Sequence, residues 1–154
     1  LDMSTSGLLV VAKNKMAHQF IQDQFIQHTI TKEYIALLDG VIEQECGLID
    51  LPLRVDLDDR PRQMVCYTYG KPAQTKWERI AVENGKTRVR FYPLTGRTHQ
   101  LRMHAVHPEG LNTPIVGDDL YGRKAHRLHL HASFIKFIHP GSKQEISFEI
   151  FPDF

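Results

Sequence analysis

Leu94-Thr95-Gly96-Arg97-Thr98-His99-Gln100-Leu101-Arg102-Met103-His104 is the stretch from which the rest of the chain is best read. A glycine is followed by a dense polar run with apolar residues only at intervals, which is not the composition of ordinary core. Gly96 can carry the backbone through a turn closed to other residues, and Thr98 is a candidate helix N-cap. A helix starting there puts Thr98, Leu101 and Arg102 on one face and aims a guanidinium at one place. The planar fork of arginine suits a carboxylate or a phosphate. Arg97 and Arg102 are therefore candidates for binding an anionic ligand and for holding an acidic side chain.

Outward from this run, strand signals dominate. Leu1 to Gly7 reads as a polar loop that leaves Asp2 beside a sheet, and Leu8 to Ala12, a short continuous apolar run, as a buried strand. Asn14 can cap a helix reaching about His28, because Ala17, Phe20, Ile21, Gln24 and Phe25 recur at helical spacing. Thr31 to Leu38 alternates, with Tyr34, Ala36 and Leu38 on one face and Ile35 and Leu37 on the other, until Gly40 ends it. Gly47 to Leu53, Met64 to Tyr69, Ala73 to Val82 and Lys86 to Tyr92 read as further strands. The last two are joined by a hairpin turn at Asn84-Gly85. Asp56 to Arg62, with clustered charge and Pro61, is loop. His107 to Pro114 and Gly117 to Gly122 are turn-rich segments suited to the walls of a cleft.

Leu128 to Phe137 mixes helix and strand signals, and Glu145 to Phe151 alternates Ile146, Phe148 and Ile150 against polar partners, the pattern of a half-buried strand. Many strands with few helices predict an α+β fold, a largely antiparallel mixed sheet with flanking helices and loops, in one domain over residues 1–154.

Composition narrows the classes of function. Nineteen Lys and Arg against eighteen Asp and Glu leave a formal charge of +1, so a nucleic-acid partner requires the positive potential to be gathered into a patch. Cys46 and Cys66 are too few and too far apart for a disulfide scaffold or a cysteine metal knuckle and read as reduced thiols. No apolar run approaches the roughly 20 residues that span a bilayer, and the first residues do not read as a signal sequence. The expectation is a cytoplasmic, monomeric protein with no membrane partner. The chain opens at Leu1 without a methionine, which reads as a piece of something longer, truncated in its N-terminal part.

The central run resembles the GRTHQLR motif of the RluA-type pseudouridine synthases. Leu1-Asp2-Met3-Ser4-Thr5-Ser6-Gly7-Leu8 is similar to the family's catalytic-aspartate motif, and Lys32-Glu33-Tyr34-Ile35-Ala36 to its tyrosine motif, in the family's order. The likeness continues through Gly70 to Thr75, Pro114 to Asp118 and Leu128 to Ala132. Family members carry His-Arg directly before the Leu-Asp pair and an N-terminal strand before that. The resemblance implies the pseudouridine synthase catalytic fold and a cofactor-independent isomerisation of uridine in ribosomal RNA, transfer RNA or both. The middle segment from Leu51 to Thr75 is closest to the RluA branch, whose members act on stem-loops of those RNAs. Asp2 is then the catalyst, as nucleophile or base, with attack on the sugar, attack on the base and removal of a sugar proton all open. Arg102 pairs with Asp2 and keeps it ionised, while Tyr34 stacks on the displaced uracil and its hydroxyl is available for proton transfer.

Each residue also has a plainer reading: Asp2 a solvated charge, Arg102 a surface ion pair, Tyr34 a sheet-packing aromatic. Substrate contacts are assigned to Arg60, Arg62, Lys71, Arg97, His99 and Gln100, with Arg123, Lys124 and Arg127 as further phosphate donors. Two rivals stand beside the isomerase. One is an RNA-binding module without catalysis. The other is a metal-dependent hydrolase using His129 and His131, two apart on an extended segment, with Asp118 or Asp119. No HExxH or paired-cysteine pattern supports a metal, and the expectation is no metal and no cofactor. Ser4 and Ser6 lack the G-x-S-x-G frame of a hydrolase nucleophile and read as hydroxyls that shape a loop.

Overall fold

The computed structural model describes residues 2–154, so Leu1, the first residue of the polar loop, lies outside the described residues. In chain order the elements are β1 (Ser6–Gly7), α1 (Lys15–Ile26), β2 (Thr31–Leu38), β3 (Cys46–Asp50), β4 (Leu53–Val55), β5 (Gln63–Val65), β6 (Gln74–Glu83), β7 (Lys86–Pro93), α2 (Gln100–Val106), β8 (Leu130–Ile138) and β9 (Glu145–Glu149). Seven strands form one sheet in the order β1-β8-β2-β7-β6-β3, with β9 also pairing β8, while β4 and β5 make a separate ribbon. Among the described residues only the short β1–β8 pair is parallel. This is the α+β, largely antiparallel architecture that the strand-rich pattern predicts.

Local chemistry accounts for the best-read elements. The Asn14 side chain accepts from Ala17 N at 2.9 Å and starts α1, supplying a partner to one of the orphan amides of the first turn. Asn84 and Gly85 both have positive φ (52° and 76°) between paired Glu83 and Lys86, the two-residue turn whose twist matches its flanking strands.

One irregularity positions the cleft. Tyr34 pairs with Ala132 but Glu33 pairs with Phe134, so Ser133 is an extra residue on β8; its hydroxyl donates to Glu33 O at 3.1 Å. Since side chains alternate along a strand, this bulge keeps Ile135 and Phe137 on the face already held by Leu130 and Ala132. Both helices therefore cover the same face. Ile21 of α1 packs with Ile135 and Phe137, joined by Leu8 and Val10. Leu101 and Ala105 of α2 pack in the larger core with Ala36, Leu38, Val89, Phe91 and Leu130.

Several sequence expectations are corrected. Leu8 to Ala12 is not a strand: Leu8 and Val10 pack against the core, while Leu9 and Val11 are 68% and 75% exposed. An unbroken apolar run thus concealed a one-sided segment. The strand read as Gly47 to Leu53 breaks at Leu51-Pro52, and Met64 to Tyr69 contributes only its first two residues to a three-residue strand before a turn. Phe148 and Ile150 stay about half exposed, so β9 offers chiefly Ile146 to the core. Among the described residues no helix is long and apolar enough to cross a membrane.

Candidate active site

A cleft of about 430 Å³ lies on the helix-bearing face, lined by Lys32, Tyr34, Leu130 and Ala132 from the sheet, Leu8 to Val10 and Phe25, the run Thr95 to Arg102, and Asp2 and Thr5. The central motif builds its polar wall, though not by the predicted turn. The left-handed residue is His99 (φ 53°), which occupies the N-cap of α2 without a side-chain cap bond, and Gly96 has no positive φ. Thr98 is therefore not the cap.

Gln100 does the tying instead. Its Oε1 accepts from Thr95 Oγ1 (2.8 Å) and Arg97 N (3.0 Å), and its Nε2 donates to Gln74 O (3.0 Å) and Thr75 Oγ1 (2.9 Å). With all four amide positions engaged and the residue 4% exposed, Gln100 has nothing left for a substrate. Its expected substrate contact is replaced by a role in holding the loop.

Arg102 emerges from α2 as a buried side chain and meets three carboxylates, Asp118 and Asp2 closely and Asp119 Oδ1 at 3.5 Å. Asp118 takes one edge of the fork, with Nε to Oδ2 at 3.0 Å and Nη2 to Oδ1 at 2.6 Å, which fixes the guanidinium plane. Nη1 is thereby turned to Asp2 Oδ2 at 3.1 Å. Asp2 Oδ1 accepts from Thr5 Oγ1 (2.8 Å) and Ser4 N (3.2 Å). Burial pushes the Asp2 pKa up, but the Thr5 hydrogen bond and Arg102 outweigh it, and the carboxyl lies below its usual value. Burial likewise opposes the charge on Arg102, yet Asp118 first and then Asp2 raise its pKa above the ordinary value.

The sequence reading placed Asp118 among possible metal ligands and missed it as the anchor of Arg102. The signal available was Gly117, whose φ is +80° and whose added Cβ would overlap the Arg127 carbonyl. That backbone carries Asp118 inward, where it is 0% exposed.

Tyr34 lies on the sheet in the same cleft, and burial, reinforced by the Asp2 charge, pushes its hydroxyl up to about 12. His99 lines the cleft and its Nδ1 lies 2.7 Å from Tyr121 Oη. The Tyr121 ring is edge-on to the imidazole and lies under the Arg102 guanidinium.

Other predicted contacts spread apart. Arg97 lines the cleft and donates to Pro72 O at 2.8 Å. Arg60, Arg62 and Lys71 lie outside the cleft lining; Arg62 is committed to Leu120 O and Asp59, while Arg60 and Lys71 are exposed. Arg123 pairs with Asp39, Lys124 is exposed, and Arg127 bridges Asp153 and Ser6. His129 is turned to the carbonyls of Val116 and Arg127, and His131 to Ile150 O and Ser6 Oγ. Among the described residues no group of three or more His, Cys, Asp or Glu is arranged to hold a metal ion.

Residues 1–107 match the RNA pseudouridylate synthase family, and the chain belongs to that family. It is similar to the dual-specificity RNA pseudouridine synthase RluA of Pasteurella multocida, at 42% identity over the whole chain and 72% of that protein. It also resembles the RluA of Vibrio parahaemolyticus, at 47% identity over 92% of the chain and 60% of that protein. The chain thus spans between about three-fifths and three-quarters of the length of these relatives. Among solved structures, human RNA pseudouridylate synthase domain containing 1 superposes with a TM-score of 0.81 at 32% identity, covering 99% of this chain and 66% of that one.

Proposed function

We propose that this chain carries the isomerase site of an RNA pseudouridine synthase, converting uridines of structured RNA to pseudouridine without a cofactor. The ribose bond to uracil N1 breaks, the base turns, and a bond from C5 to C1′ replaces it; C5 loses its hydrogen and N1 gains one. Asp2 is the catalytic residue, Arg102 its electrostatic partner and Tyr34 the surface on which the displaced uracil stacks. The observation that carries the reading is the Asp2 carboxylate, 3.1 Å from a guanidinium locked by Asp118, opening on a cleft that also contains Tyr34. A cation so placed keeps a partly buried carboxylate ionised and ready as nucleophile or base. Tyr34 offers an apolar aromatic face for a base taken out of its stack.

The substrates in this reading are stem-loops of ribosomal RNA, transfer RNA or both, the RNAs that the motif resemblance implies; the relatives' names give a dual-specificity RNA pseudouridine synthase. Arg97 and His99 meet the target nucleotide, while Arg60 and Lys71 meet phosphates beyond the cleft. The chain acts in the cytoplasm as a monomer, every residue of the proposed machinery coming from a single copy. Pseudouridine mapping of cellular RNA, with and without the gene for the full-length protein, tests the reading. Loss of modification at specific uridines is expected, and an unchanged map overturns it.

A further inference from the structure

The hydrogen bonds around Tyr121 favour one tautomer of His99. The backbone N–H of Gln63 donates to Tyr121 Oη at 2.8 Å, and an amide nitrogen can only donate. The tyrosine oxygen accepts there, and among the described residues His99 Nδ1, 2.7 Å away, is the acceptor within reach of its own proton. An imidazole whose Nδ1 accepts carries its hydrogen on Nε2 when neutral. Among the described residues Nε2 has no protein hydrogen-bond partner, although His99 lines the cleft with Asp2 and Tyr34. The left-handed backbone of residue 99 (φ 53°) is uncommon for non-glycine residues, although histidine adopts it more readily than most. Such strain is often found where a side chain must be aimed.

We infer that His99 is a catalytic residue of the proposed isomerisation, a neutral Nε2–H donor to a uracil carbonyl oxygen, with Tyr121 as the positioning residue that sets its tautomer. This inference rests on the isomerase reading. It does not depend on how Asp2 acts. Attack on C1′ and removal of a sugar proton both send the electron pair of the broken C1′–N1 bond onto the uracil, where O2 and O4 share it. Attack on the base instead places that charge on O4. A fixed donor aimed at a carbonyl is worth most when such charge develops. A neutral imidazole performs this without neutralising the Asp2 carboxylate nearby. The charged groups around His99 agree: burial and then Arg102 lower its pKa, more than Asp2 and Asp118 raise it.

The test joins spectroscopy to a substitution pair. Nitrogen NMR of the full chain near neutral pH should show His99 with an unprotonated Nδ1 and a protonated Nε2, and Tyr121→Phe should let a share of the neutral rings carry the hydrogen on Nδ1. A cationic or Nδ1–H imidazole in the wild-type chain overturns the inference whatever the assay gives. Turnover is read as tritium released from RNA labelled at uridine C5. His99→Asn, which suits a left-handed backbone but cannot reach the Nε2 position, should lose on the order of 10²-fold in single-turnover rate. His99→Gln, whose amide nitrogen can, should recover at least about ten-fold of that. The reverse order would point to backbone strain alone and overturn the donor role, as would His99→Asn at the wild-type rate. A wild-type chain that releases no tritium instead overturns the isomerase reading itself.

Discussion

Two polar clusters of this molecule are built from similar side chains and have opposite fates. In the cleft, Asp2, Arg102, Asp118, His99 and Tyr121 interlock, yet Asp2 and His99 line the open cleft and, among the described residues, His99 Nε2 has no hydrogen-bond partner. In the second cluster Ser6, His131, Arg127 and Asp153 interlock just as closely. Ser6 Oγ lies 2.8 Å from His131 Nδ1 and accepts from Arg127 Nη2 at 2.7 Å, and His131 Nε2 donates to Ile150 O at 3.0 Å. By residue type this second group looks more like a catalytic set than the first. It lies outside the cleft lining, and its serine and imidazole are committed to partners within the protein. Reactive chemistry needs both a held side chain and an unspent valence, and only the cleft cluster has both.

The contrast can be broken at several points. The largest expected effect is Asp2→Asn, which keeps the shape of the carboxylate and removes its nucleophilic or basic oxygen. Isomerisation should fall by on the order of 10³-fold or more with RNA affinity nearly unchanged. Retained tritium release would remove Asp2 from the chemistry.

Arg102→Met is next and has two readouts. It leaves the buried Asp118 carboxylate unpaired, which should cost about 3–5 kcal/mol in denaturant unfolding. It also frees the Asp2 pKa to rise. Because the native pKa is net depressed, the ionised form persists as pH falls until the depressed value is reached; without Arg102, protonation begins at higher pH. The rate deficit of the variant should therefore be steeper near about pH 5 than near about pH 8. A pH profile of unchanged shape would contradict the pairing.

Tyr34 separates stacking from proton transfer. Tyr34→Phe should bind RNA as the wild type does, whereas Tyr34→Leu should weaken binding by roughly 1–3 kcal/mol. Equal losses from the two would move the weight to the hydroxyl. The smallest effect belongs to the second cluster: Ser6→Ala should lower stability by about 1 kcal/mol and leave turnover within about two-fold. A collapse of turnover would show that this cluster is coupled to the chemistry after all.

Much of this was legible in the amino-acid order, because the signals are local. The alternation of Thr31–Leu38, the Asn14 cap and the Asn84-Gly85 turn depend on neighbours a few residues away, and each is found where its chemistry placed it. The three motifs single out Asp2, Tyr34 and Arg102, and the folded chain brings all three to one cleft.

What only the tertiary structure decided are matters of partnership over long chain separations. Asp2 and Asp118 meet on one guanidinium although they lie on opposite sides of Arg102 in the chain, 100 and 16 residues away. Gln100 spends its amide inside the protein, His99 rather than Gly96 takes the left-handed backbone, and Ser6 and His131 saturate each other and their neighbours. The single extra residue at Ser133 puts both helices on one face and so makes the cleft. Periodicity and propensity report which side of an element is apolar. Which hydrogen-bonding valence is filled, and by whom, depends on how strands far apart in the chain come into register, and no stretch of sequence contains that by itself.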